Sequence, residues 1–194
     1  MFMHNSETAK EVEECKERWG KTPTEITDEL GMYRYGGGGY HCVHMSDNDF
    51  DIFKRAGLYA VTNPASNLKL ASGVAPIKRY LDMDIPVAIG TDGPASNNCL
   101  DMFREMFLTT ALAKVRENDA AVVPADNVLY MATVNGARCM GLVDCDRLSV
   151  GKKADIIAID LKQPNMQPLN NIVKNLVYSG SKQNVIFTME DDYR

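Results

Sequence analysis

"IPVAIGTDGPASNN", residues 85–98, decides the fold. The apolar run Ile85 to Ile89 has the length and composition of a buried strand, and it stops at the polar turn Gly90-Thr91-Asp92-Gly93. A strand that is apolar throughout, without alternation, belongs to a parallel sheet covered on both faces. Asp92 therefore stands at the mouth of a buried strand. Its chemistry depends on what the neighbouring strands bring to the same rim.

Outward from this stretch the chain repeats one unit. Met1 to Met3 read as the end of a strand, "YGGGGYHCVHM" (35–45) as a second strand and "LYAVTNP" (58–64) as a third, stopped by Pro64. Helix signals fill the gaps. Thr8-x-x-Glu11 is a capping-box pattern followed by Val12, Cys15 and Trp19 at helical spacing; Thr22-Pro23-x-Glu25 and Ser46-x-x-Asp49 open two more helices. "SNLKLASGVAP" (66–76) reads as a loop and "IKRYLDMD" (77–84) as a helix. Two helices, "LDMFREMFLTTALAKVRE" (100–117) and "PADNVLYMATVNGARCMG" (124–141), follow the fourth strand. The class is α/β with four β-α units in residues 1–142. Residues 143–194 break the pattern: "DRLSVGKKADIIAIDL", "NNIVKNLVYSG" and "QNVIFTM" supply short apolar segments and read as a small β-rich appendage.

Composition narrows the partners. The 194 residues carry 26 acidic against 21 basic side chains, a net charge of −5, which argues against a nucleic-acid backbone. No apolar run approaches the roughly 20 residues of a membrane span, and no signal segment opens the sequence, so no membrane partner and a cytoplasmic location are expected. The five cysteines, 15, 42, 99, 139 and 145, are odd in number and scattered, as reduced thiols are.

Each strand delivers polar groups at its C-terminal end: His4 with Glu7 beyond it, then His41 to His44, then Asn63 with Ser66 and Asn67, then Asp92. That end is where α/β folds place their active sites. His4, His41 and Asp92 are N and O donors or supporting partners suited to a divalent ion such as zinc, and Glu7 is free to move a proton. Each residue also has a plainer reading. Asp92 before glycine is an ordinary turn residue, His44 is a structural histidine, and Asn63, Ser66 and Asn67 close their loop on the backbone. Cys42 beside His41 faces away on a strand and reads as a buried thiol, not a nucleophile. The glycines 36–39 lack the companions of a phosphate loop. A (β/α)8 barrel needs about 250 residues; four units make half of one, or a complete small open sheet.

The segments "HNSET..EV" (4–12), "HCVHMSDND" (41–49), "NPASNLKLASGVAP" (63–76) and "GTDGPASNNCLDMFREM" (90–106) resemble the second half of the amidohydrolase superfamily, in particular its 5-methylthioadenosine/S-adenosylhomocysteine deaminases and chlorohydrolase-like relatives. "GKKADIIAIDL" (151–161) is similar to the segment that re-enters the family's small β-sandwich after its barrel. The resemblance implies the C-terminal half of a TIM-type barrel, strands 5–8, followed by part of that sandwich. It implies one zinc ion, with His4 and Asp92 as ligands; Glu7 as the acid/base; His41 holding the attacking water and polarising the transition state; and Asp92 also accepting a proton. Hydroxide generated at zinc would attack the amine-bearing purine carbon and expel ammonia. Asn63, Ser66 and Asn67 are candidate substrate contacts. The family's H-x-H zinc pair does not occur here, and glycines 36–39 stand where the family carries an apolar strand. The expectation is a fragment of a longer hydrolase for a small purine-type substrate, inactive alone, pairing with the missing N-terminal half or with itself. Guanine- or triazine-type hydrolysis and a non-catalytic assembly module are the alternatives.

Overall fold

The computed structural model describes residues 1–191. Four strands, β1 (Phe2–Asn5), β2 (Gly38–His41), β3 (Tyr59–Thr62) and β4 (Val87–Ile89), form one sheet in chain order. All are parallel, with Asn5 opposite His41, Tyr40 opposite Val61 and Thr62 opposite Ile89, so their C-terminal ends share one rim. Helices α1 (Ala9–Trp19) and α2 (Pro23–Glu29) lead from β1 to β2, and α3 (Asp47–Ala56) leads to β3. Then α4 (Pro64–Lys69) and α5 (Ile77–Asp82) lead to β4. After β4 come α6 (Pro94–Asn97), α7 (Met102–Glu117) and α8 (Ala125–Tyr130), which runs through a π turn (Met131–Asn135) into α9 (Gly136–Cys139). No helix among the described residues is long and apolar enough to cross a membrane.

The three capping boxes form as the sequence indicates. The side chains of Thr8, Thr22 and Ser46 accept from the amides of Glu11, Glu25 and Asp49, and those carboxylates reach back to the cap amides. Each reciprocal pair satisfies two backbone donors that a helix start leaves free, for about 1 kcal/mol. They set where each helix leaves the rim.

Alternation along the strands gives the sheet two different faces. Ala60, Val87 and Ile89 join the core beneath the helices, together with the buried Phe50 and Phe53 of α3, Tyr80 of α5, Met106 of α7 and Val128 of α8. Burying a side chain of that size stabilises by about 1.5–3 kcal/mol. On the other face Phe2, Tyr40, Val61 and Ala88, with Met102 and Cys139, line an open cleft of about 530 Å³.

The glycine run follows from how closely β2 is flanked. A Cβ on Gly38 would stand 2.0 Å from the carbonyl oxygen of Tyr59, and one on Gly39 2.6 Å from Cys42 Sγ and 2.8 Å from Asn5 Cβ. Glycine is therefore a steric requirement of β2 and not a ligand cradle.

Three expectations need correction. Residues 66–76 are not all loop: Pro64 ends β3 but also starts α4, because its fixed φ and missing N–H suit a first helical position. The fourth strand is shorter than 85–89, since Pro86 has no N–H to give a ladder. The segment after 142, read as β-rich, also holds a helix. Strands β5 (Ile156–Ile159) and β6 (Val185–Met189) pair antiparallel, but α10 (Ile172–Ser179) stands between them, capped by the Asn171 side chain. Ile172, Val173, Leu176 and Val177 make a helical stripe; Val177 is buried, and the Tyr178 hydroxyl lies 3.3 Å from Thr110 Oγ1 on α7.

Candidate active site

The rim is assembled from four strand ends, and three of them leave the β region sharply. Ser6 (φ 50°), His41 (φ 68°), Cys42 (φ 50°) and Asp92 (φ 61°) are all left-handed. Such a conformation costs a non-glycine residue about 1–2 kcal/mol, so it persists only where surrounding bonds over-determine it. Here they do. The Ser6 carbonyl accepts from both Val43 N (3.1 Å) and His44 N (2.9 Å), stitching the end of β1 to the loop after β2.

At His41 the twist has a chemical result. The register pairs His41 with Asn5, whose amide is buried against Thr24 on the helix side. The His41 ring instead stacks on His4, with centroids 5.4 Å apart and planes 16° apart. The left-handed backbone takes the imidazole off the strand's alternation and aims it at the rim. The ring is buried, and its Nδ1 lies 2.7 Å from Asn67 Oδ1 and 3.4 Å from Asn63 Nδ2. An Nδ1–H donating to Asn67 Oδ1 leaves Nε2 as the ring atom that faces Glu7 Oε2, at 3.7 Å.

Glu7 is held without being used up. Its backbone amide donates to Glu11 Oε2 (2.7 Å), and its Oε1 accepts from Ser72 Oγ (3.0 Å), leaving Oε2 turned to His41. Asp92 accepts from Ser66 Oγ at Oδ2 (2.6 Å) and from Gly93 N at Oδ1 (2.7 Å). Burial opposes its ionisation, but the Ser66 hydroxyl, the Gly93 amide, His41 and Ser96 outweigh it and hold the carboxyl below its ordinary value. Asp92 is an anion at neutral pH.

Of the sequence-predicted residues, His4, Glu7 and His41 meet directly or through one contact, and Asp92 joins them through α4. His4 lies on the exposed edge of the cluster. Asn63, Ser66 and Asn67 are buried, and their bonds go to His41 and Asp92. Asn67 Nδ2 is buried without a partner. His44 is structural, its Nε2 lying 2.7 Å from the Ser72 carbonyl oxygen. Cys42 is fully buried, and burial pushes its thiol up to about 12, so it is no nucleophile. Sequence reasoning missed Ser72 and Glu105. Ser72 lay in a segment read as loop, and its partner Glu7 is 65 residues away, beyond any local pattern.

For a metal, His4 and Asp92 are donors of the types zinc takes. Among the described residues no group of three or more His, Cys, Asp or Glu is placed to hold an ion.

The amidohydrolase family pattern matches residues 1–191. The chain belongs to the amidohydrolase family. It is 46% identical over 180 residues to a 5-methylthioadenosine/S-adenosylhomocysteine deaminase of Caldanaerobacter subterraneus subsp. tengcongensis, covering 92% of this chain and 42% of that relative. It superposes with a TM-score of 0.93, at 35% identity, on an adenosine deaminase from Xanthomonas campestris with bound zinc, covering 98% of this chain and 44% of that one. A guanine deaminase from C. acetobutylicum, at 23% identity and TM-score 0.84 over 97% of this chain and 46% of its own, shares the fold alone. The amidohydrolase chain described here thus spans about two fifths of the length of the curated relative it matches.

Proposed function

We propose that this chain is the C-terminal part of a hydrolytic deaminase for an adenine-type nucleoside of the 5-methylthioadenosine/S-adenosylhomocysteine kind. The observation that carries the reading is the shared rim, where Glu7 Oε2 faces His41 Nε2 at 3.7 Å beside an ionised Asp92. The named deaminase at 46% identity supports the substrate class. In this reading residues 1–142 are strands 5–8 of a TIM-type barrel, and residues 143–194 belong to a small β-sandwich completed by chain from elsewhere.

Glu7 is the proton carrier. Ser72 fixes one of its oxygens and leaves the other free to take a proton from the attacking water and return it to the ring nitrogen. His41, oriented through Asn67, presents Nε2 to the water and to the charge that develops at the attacked carbon. Asp92, kept anionic, accepts the water's other proton, so that of the two protons one passes to the ring nitrogen through Glu7 and the other leaves with the amine as ammonia. His4 and Asp92 would be two of the zinc ligands, the remaining donors coming from outside this chain. Zinc, when bound, supplies a Lewis acid that brings the pKa of water towards about 7. Asn63, Ser66 and Asn67 hold these groups in place. The open cleft on the sheet's inner face is where the N-terminal half of the barrel would pack.

The test is ammonia release from adenosine, 5-methylthioadenosine and S-adenosylhomocysteine with zinc present. The isolated 194 residues are expected to give none. The same chain supplied with the N-terminal part of the Caldanaerobacter relative is expected to give zinc-dependent release, abolished by Glu7→Gln. Turnover by the isolated chain overturns the requirement for a second half; release unaffected by Glu7→Gln overturns the role of Glu7.

A further inference from the structure

Glu105 lies on α7, thirteen residues past Asp92, and its side chain is fully buried. Its Oε2 accepts from the backbone N–H of Ala65 (3.0 Å) and its Oε1 from Asn97 Nδ2 (2.8 Å). Each partner leads to the rim by a short path. Ala65 is in the first turn of α4, and the next two side chains are Ser66, bound to Asp92, and Asn67, bound to His41. Asn97 ends α6, gives its second amide hydrogen to the Thr91 carbonyl (2.7 Å), and donates its own N–H to the Gly93 carbonyl (3.0 Å). Thr91 and Gly93 flank Asp92.

We propose that Glu105 is a positioning residue whose one carboxylate clamps α4 and α6 together, so that His41 and Asp92 are presented to the rim in fixed relation. This rests on the reading of those two residues as working groups. The chemistry selects a carboxylate. Both partners are donors, so only a group with two acceptor oxygens satisfies both; glutamine would satisfy one and set an N–H₂ against the other. Burial raises the Glu105 carboxyl while the Ala65 and Asn97 donors offset it, so a costly buried acid is kept where an apolar side chain would fill the space. The bonds span 40 and 8 residues and join two loops that share no hydrogen bond with each other except through Ser66 and Asp92 or Lys69.

The arms differ, and that makes the inference testable on the 194-residue chain by NMR. The readouts are the His41 ring nitrogens, which report its tautomer; the Gly93 amide, which reports the Asp92 contact; and Ala65 amide exchange. Glu105→Gln is expected to average the His41 tautomers, shift the Gly93 amide, and speed Ala65 exchange about tenfold or more. Asn97→Ala cuts one arm only and is expected to shift Gly93 while His41 keeps its tautomer. Thr110→Val removes a buried hydroxyl from the same helix, bonded to the Val123 carbonyl at 2.7 Å, and is expected to lower the melting temperature while leaving both rim signals in place. The proposal is overturned by Glu105→Gln leaving His41 and Gly93 as in the parent, or by Thr110→Val moving them equally. Should Glu105→Gln fail to fold, Asn97→Ala decides alone: movement of His41, or no movement of Gly93, overturns the clamp. None of these signals requires zinc or turnover, so absence of deaminase activity bears on the function and not on the clamp.

Discussion

The two faces of the parallel sheet are built to opposite rules. The helix-side face is closed, with Phe53, Tyr80, Val87 and Val128 all under 1% exposed. The other face is apolar and open in part: Tyr40 is 37% exposed, while Val61 and Ala88 are buried at the floor of the cleft. The rim between them is already wired, since Glu7, His41 and Asp92 each have a fixed partner. The rim is thus held in place by its own hydrogen bonds while part of the sheet's other face stays open.

That contrast can be broken by substitution. Phe53→Ala on the closed face is expected to cost about 3–5 kcal/mol in chemical denaturation. Tyr40→Ala on the open face should cost less, about 1–2 kcal/mol, because more than a third of the residue already faces solvent. Equal losses would mean that the inner face is packed in solution by a second chain. Gly38→Ala comes next, at about 1–3 kcal/mol, since the new methyl must push Tyr59 aside and part β2 from β3. A neutral Gly38→Ala would show that the sheet yields more easily than its tight contact implies.

The smallest effect concerns acid. Asp92 has a carboxyl lowered in the folded state, so it contributes stability above the ordinary carboxylate value and loses that contribution as pH falls through the lowered one. The stability difference between the parent and Asp92→Asn is expected to shrink below the ordinary aspartate range. A difference independent of pH there would mean that Ser66 and Gly93 bind the amide as well as the anion.

What could be read from the sequence divides along the reach of each interaction. The helix starts at Thr8, Thr22 and Ser46 were legible because a capping box is complete within four residues. The apolar strands between them marked the parallel α/β order, and the polar residues at the strand ends, with the family resemblance, pointed to His4, Glu7, His41 and Asp92. The helix at Pro64 was not, because the residue that ends a strand was also the residue that starts a helix. The α10 stripe was hidden by its β-branched residues, although Asn171 was a cap signal in plain view. The bonds that orient the rim were invisible for a different reason. Glu7 to Ser72, His41 to Asn67 and Glu105 to Ala65 cross 65, 26 and 40 residues, and the left-handed turn of His41 has no glycine or asparagine to announce it.

The π turn at Met131–Asn135 has a consequence for how the chain tolerates change in length. A π turn holds one residue more than the α-helix around it, and each residue carries about 100° of rotation. Removing one residue there would leave the rest in phase, whereas tightening that turn into regular α-helix with no residue removed would swing everything beyond it by that angle. Asn135 would lose the Val87 carbonyl it now holds at 2.8 Å, and Cys139 would turn out of the cleft wall. The extra residue thus works as a phase shifter, letting one helix brace the last strand at one end and line the cleft at the other.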